Sequence, residues 1–169
     1  MRMLGAAAVM LASVSAGFFA VTQKRKRLRC LRDLCDSLTL LAGELEGKRA
    51  PMPELIQTAC LFSAGEPSSF FKHLREVLPQ LGVWSFFQLW EETAQQYLPS
   101  LNGDEVREWT ALGRQLGRAE LDRQLLALEG CCRFLSQRLE REERAFRSER
   151  KLCLGLPAAM GALLLILLF

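Results

Sequence analysis

The side chains best equipped for chemistry in this 169-residue chain are six cysteines, one histidine and several adjacent carboxylates. Thiolates and imidazole could hold zinc or pair as nucleophile and base, and neighbouring carboxylates could share acid–base work. Their spacing argues against each. Cys30, Cys35, Cys60, Cys131, Cys132 and Cys153 contain no C-x-x-C pair, and His73 is the single histidine, so no four-ligand zinc set is at hand. All six cysteines fall in apolar helical patterns, which reads as free thiols of a reducing compartment, buried or facing lipid. Glu91/Glu92 and Glu142/Glu143 are adjacent, so on a helix each pair diverges; they read as charges on a solvated face. No phosphate-cradling glycine loop and no Ser/His/Asp set occurs. The sequence predicts no enzyme, no cofactor and no metal.

The elements that carry these residues are set by where charge is missing. No charged residue lies between Met3 and Gln23, and none lies between Leu152 and Phe169. The first stretch would be about 31 Å long as a helix and the second about 27 Å, against a hydrocarbon core of roughly 30 Å. We expect three parts: a transmembrane helix over 1–23, a cytoplasmic helical bundle over 24–151, and a second transmembrane helix over 152–169. The apolar run continues past the cleavage-like Val14-Ser15-Ala16 and meets KRKRLR at 24–29, which argues for an uncleaved span rather than a signal peptide. Small residues let helices approach closely in lipid. Ala8, Ala12, Ala16, Gly17 and Ala20 in the first span, with Gly155 and Ala159 in the second, are the expected packing positions.

Charge sets the orientation. Residues 24–49 hold eight Lys/Arg against four Asp/Glu, residues 141–151 five against three, and residues 50–140 eight against twelve. Both basic ends flank the apolar stretches on their inner sides, which predicts a cytoplasmic middle and extracytoplasmic termini. The same ends would attract anionic lipid headgroups. No soluble face gathers enough positive charge for nucleic acid.

Between the spans the pattern is all-α. Leu31, Leu34, Leu38, Leu41 and Leu45 form a coiled-coil-like heptad seam, ended by Gly47. Further helices are predicted from Pro51/Pro53 to Phe62, Pro67 to Leu78, Val83 to Tyr97 and Asn102 to Gly117. A sixth starts near Ala119, with its seam at Leu121, Leu125, Leu128, Cys132, Leu135, Leu139 and Phe146, and with Gly130 as a weak point. Phe62, Phe70, Phe71, Trp84, Phe86, Phe87 and Trp90 read as the main core. The first and last of these helices both meet the membrane, so they must be antiparallel. The Gly47–Pro53 turn and the Gly113–Gly117 stretch then lie at the membrane-distal tip.

Two segments resemble a known family. ELEGKRAPMPELI at 44–56 resembles a segment in which Glu, an apolar residue and Gly precede a Pro-rich helix start. ALGRQLGRAELDRQLLALE at 111–129 resembles a paired Leu-Gly motif, here Leu112-Gly113 and Leu116-Gly117, with Gln124 downstream. The order of parts over essentially the whole chain is similar to the stage III sporulation protein AB family. That resemblance implies a protein of the mother-cell membrane facing the forespore. It would be part of a secretion-like channel needed for sporulation, with a bundle similar to the platform-protein domain of type II secretion and type IV pilus machines. It implies coupling to a cytoplasmic secretion-type ATPase (stage III sporulation protein AA-like), contact with other membrane channel subunits and with lipids, and assembly with copies of itself. The alternative is a two-span membrane regulator or receptor whose bundle binds a cytoplasmic factor. The tip residues Glu44, Glu46, Lys48, Arg49, Arg114 and Arg118 are the expected partner contact, because a soluble partner reaches that end most easily.

In a cysteine-free background, Cys at Arg2 should react with a membrane-impermeant thiol reagent in intact cells, and Cys at Asn102 should not. The reverse labelling would invert the predicted orientation.

Overall fold

The computed structural model describes the backbone of residues 2–117 and 120–168, and the side chains of residues 19, 21–117 and 120–147. Among the described residues there are six α-helices and no strand: α1 (Arg2–Lys48), α2 (Met52–Phe62), α3 (Gly65–Val77), α4 (Phe86–Tyr97), α5 (Gly103–Leu116) and α6 (Leu121–Leu168), with a 3-10 turn at Leu78–Gln80 after α3. Neither α1 nor α6 breaks between its apolar stretch and its bundle segment, and α6 passes through Gly130 without interruption. Among the described residues, no helix is long and apolar enough to cross a membrane. Most side chains of the two predicted spans, including those at Ala8, Ala12, Ala16, Gly17, Ala20, Gly155 and Ala159, lie outside the described residues.

The leucine seam of α1 is the spine of the core. Leu31, Leu34 and Leu38 are fully buried, and Leu41 and Leu45 nearly so. They share one core cluster with Leu128, Cys131 and Leu135 of α6. The two helices are antiparallel, because partners descend along α6 as they ascend along α1. Arg27 meets Glu142, Arg32 meets Glu143, Cys35 meets Ser136 and Thr39 meets Cys132. On α6 Leu128 and Leu135 are buried as expected, while at the cysteine pair Cys131 is the buried member and Cys132 only partly so. The base of the bundle is the end where the apolar parts of α1 and α6 continue, and the tip is the opposite end.

The termini of the shorter helices follow local chemistry. Ser85 caps α4: Gln88 N–H donates to Ser85 Oγ at 3.3 Å, and Ser85 N–H donates to Gln88 Oε1 at 2.9 Å. This reciprocal cap starts α4 at Phe86, three residues later than predicted. Gly47 does not end α1. The helix runs to Lys48, and Arg49 takes the left-handed position (φ 48°) usually given to glycine. Ala64 precedes α3, which begins at Gly65 rather than Pro67.

Trp90 and Trp109 stack at 5.2 Å, and Phe70 meets both edge-on at 4.9 and 5.5 Å. Trp90 Nε1–H donates to the Trp109 carbonyl at 2.8 Å. The paired Leu-Gly motif makes room for this cluster. A Cβ at Gly113 would lie 2.3 Å from Trp90 Cδ1, and one at Gly117 would lie 3.1 Å from Phe86 Cδ1. The two glycines, four apart on α5, receive two aromatics four apart on α4. Gln124 Nε2–H then donates to the Leu116 carbonyl at the end of α5, satisfying an otherwise open helix terminus. Of the seven aromatics read as core, Phe70, Phe71, Phe86 and Trp90 are buried. Phe87 is half-buried, while Phe62 and Trp84 are exposed.

Gly113→Ala should therefore destabilise the protein by about 1–3 kcal/mol or more through overpacking against an indole held by a hydrogen bond. Leu38→Ala or Leu128→Ala should cost about 2–5 kcal/mol each. Urea midpoints with an unchanged m-value would register both effects, whereas a neutral Gly113→Ala would contradict the α4–α5 contact.

Candidate functional site

The tip holds most of the residues expected to meet a partner, but in two separate groups. Lys48 pairs with Glu44 at 2.8 Å within α1, and Glu46 and Arg49 are exposed beside them. Arg114, on α5, lies over the Phe87 ring at 4.7 Å and borders a shallow cavity of about 140 Å³ with Ser85, Phe86 and Gly117. Among the described residues, no ion pair joins Arg114 to the α1 group. Arg118 lies outside the described residues.

Between α3 and α4 the tip also carries an apolar knob, in which only Trp84 was assigned to the core by the sequence reading. Val83 is 85% exposed, Trp84 49% and Leu81 45%. Gly82, at φ 113°, turns the chain between them in a conformation that side chains resist. The only local signal was Pro79 and Gly82 bracketing the segment, which marks a turn; periodicity extended α4 over it.

The base was read as a headgroup-facing collar, and there the structure makes a correction. One cation of KRKRLR, Arg27, turns into the protein, while Lys26 stays largely exposed as it pairs with a carboxylate. Arg27 Nε donates to both oxygens of Glu142 at 3.0 and 2.9 Å, and Nη2 donates to both oxygens of Glu105 at 2.7 and 2.9 Å. Nη1 donates to the Ser100 carbonyl. Glu105 is only 1% exposed, and its Oε2 also accepts from Asn102 N–H at 2.8 Å, capping α5. Ser100 continues the network, donating to Glu66 through its N–H at 3.2 Å and its hydroxyl at 2.7 Å. Lys26 reaches the same carboxylate at 3.1 Å. The pair read as solvated-face charges is also corrected: Glu142 holds Arg27 and Glu143 holds Arg32, both across the α1–α6 seam.

Burial and partners set the titration of this node. Desolvation alone would lower Arg27, but hydrogen bonds and charge from Glu142 and Glu105 outweigh it and raise its pKa. Desolvation alone would raise Glu66, but hydrogen bonds from Ser100 and Lys26 outweigh it and hold the carboxyl below its ordinary range. Burial, reinforced by Glu66, pushes the Cys30 thiol up, and burial does the same to Cys131, so both are poor nucleophiles. Cys30, Cys35, Cys60, Cys131 and Cys132 are free thiols, and Cys153 lies outside the described residues. His73 packs against Tyr97, with ring centroids 4.7 Å apart and the planes tilted by 32°. Among the described residues, no three of His, Cys, Asp or Glu gather in a way that could hold a metal ion.

Arg27→Gln should destabilise the protein by about 3–5 kcal/mol, because it strands Glu105 as a buried, uncompensated charge. Adding Glu105→Gln should recover part of that loss, and unfolding of the single and double variants measures it. The depressed Glu66 carboxyl contributes stability present above its ordinary pKa of 4.5 and lost as pH falls through the folded value. Glu66→Gln should therefore flatten the acid limb of the stability profile; an unchanged limb would rule Glu66 out as its source.

Known proteins place this architecture. A solved structure of a Stage III sporulation protein AB (SpoIIIAB) is similar to this chain with a TM-score of 0.63 and 21% identity, covering 72% of this chain and 97% of that one. That likeness speaks to the fold. No curated protein matches. The family described as Stage III sporulation protein AB matches residues 2–169, which include both Leu-Gly pairs and the long helices at either end, and the chain belongs to that family.

Proposed function

We propose that this sporulation-family protein is a non-enzymatic membrane component of the mother cell–forespore channel, and that its bundle docks a cytoplasmic secretion-type ATPase at the tip. The observation that carries the reading is the pairing, at one end of the bundle, of the exposed Leu81, Val83 and Trp84 with the Arg114–Phe87 contact. A large exposed aromatic next to a stacked arginine is the composition that dominates protein–protein binding energy. The opposite end leads into the charge-free stretches of α1 and α6, which supports a bundle held at the membrane by two spans. In this reading the bundle lies on the mother-cell cytoplasmic side, with the outer ends of the apolar helices across the membrane. Other channel subunits and further copies of the chain would pack against the small-residue positions of the spans.

In this reading Glu44, Glu46, Lys48 and Arg49 add a charged rim to the same end of the bundle. Charged rims steer association more than they hold the complex.

Trp84→Ala should cost about 2 kcal/mol or more of ATPase affinity if the knob is an anchor. Combined charge reversal at Glu46 and Arg114 should slow association and reduce spore formation, while leaving helicity and membrane insertion unchanged. Pulldown of the ATPase from sporulating cells and spore counts read both effects. Normal binding and sporulation in the Trp84 variant would remove the knob from the contact.

A further inference from the structure

The base carries a cleft that neither the fold nor the tip contact requires. It measures about 450 Å³ and runs between Lys24, Lys26 and Arg27 on α1 and Pro99, Ser100 and Asn102 in the α4–α5 turn. That volume is in the usual range for a small-ligand site. No carboxylate lines it. The acids nearby, Glu66, Glu105 and Glu142, are engaged behind its wall by Ser100, Lys26 and Arg27. Arg27 is therefore a fixed wall whose charge is matched from the protein side by Glu105 and Glu142, and Lys26 remains 63% exposed at the mouth.

We infer that this cleft is a binding site for the phosphodiester headgroup of an anionic phospholipid. The inference rests on the membrane placement proposed above. Two observations favour lipid over a free anion. The first is depth. The charge-free stretch ends at Gln23, and a helix rises about 1.5 Å per residue, so Lys24 to Arg27 sit roughly 2–6 Å beyond it. The headgroup layer on each side of a bilayer is about 5–7 Å deep, so the mouth of the cleft falls within it. The second is an apolar companion on the same face of α1. Phe19 is 66% exposed, and Phe19, Gln23 and Lys26 are spaced i, i+4, i+7, which stacks them along one side of the helix. A ligand with a phosphate at Lys24 and Lys26 would place its glycerol and acyl chains against Phe19. Inorganic phosphate would gain nothing from that aromatic.

The test uses the full chain in neutral detergent, with lipid retention read by native mass spectrometry. Phosphatidylglycerol should be retained in preference to phosphatidylcholine, and inorganic phosphate at equal concentration should not displace it. Lys24→Gln with Lys26→Gln should weaken retention roughly thirtyfold, as expected for two lysines at a membrane surface. Arg144→Gln with Arg147→Gln removes equal charge from α6 and should change retention little. Lys24→Glu serves as a second variant that spares the Lys26–Glu66 pair and should also lose the lipid. Equal weakening in the α1 and α6 variants would mean diffuse attraction to a basic collar and would overturn the site. Displacement by inorganic phosphate would make it a free-anion site and overturn it equally. Extraction of the chain from cell membranes by alkaline carbonate would refute the membrane placement itself. Resistance to extraction without any lipid preference would refute the cleft alone.

Discussion

The guanidinium of Arg27 has a carboxylate bound along its Nε–Nη2 edge, a second carboxylate at Nη2 and a main-chain carbonyl at Nη1. These partners come from α6, α5 and the α4–α5 turn, so one side chain of α1 fixes three other segments at the base. Taking such charges out of water costs several kcal/mol per ion, and only a saturated geometry offsets it. The geometry here is saturated. The fork of Arg27 matches the carboxylates in a way that lysine could not, and Glu105 uses its remaining capacity to cap its own helix. Buried ion pairs as a class often add little net stability over an apolar substitute. The contribution of this node is register: a shift of α1 against α6 by one turn would leave Glu105 buried and alone.

The tip half is organised by contact rather than by charge. α4 and α5 approach closely because Gly113 and Gly117 leave no side chain where Trp90 and Phe86 lie. With the indole hydrogen-bonded to the Trp109 carbonyl and Phe70 closing the edge, the cluster has one arrangement. It holds α3, α4 and α5 as a unit, and this unit presents the Leu81–Trp84 turn outward. The same rigidity that makes the core intolerant of a methyl group gives the exposed knob a fixed place. A partner would then lose little to ordering the surface it meets.

The two ends divide the work. At the base, cations are held against protein carboxylates on one side and open to a cleft on the other. At the tip, apolar side chains stand out beside an arginine stacked on phenylalanine. The long antiparallel pair α1–α6 connects the ends through its buried leucines. The thiols along this seam are kept protonated by burial, so they act as small apolar fillers.

The fold was legible in the sequence because its signals are local. Leucines at 3 and 4 spacing, proline at helix starts and asparagine before α5 each act within one helix, and the bundle-helix ends fall within three residues of their expected places. The Leu-Gly pairs were visible as a motif, but their reason was not, since it lies in Trp90 and Phe86 of another helix. The sites were less legible. Glu44, Glu46, Lys48, Arg49 and Arg114 do share the tip, as the antiparallel argument required, yet no sequence rule set Trp84 outside the core while Trp90 went in. KRKRLR could be read only as a run. Whether a given cation in it faces lipid, water or a buried glutamate depends on Glu105 and Glu142, 78 and 115 residues away. Helix periodicity is a property of neighbours along the chain, and the sequence alone determined it. The pairing of charges and the exposure of an aromatic depend on which helices meet, and only the tertiary structure decided them.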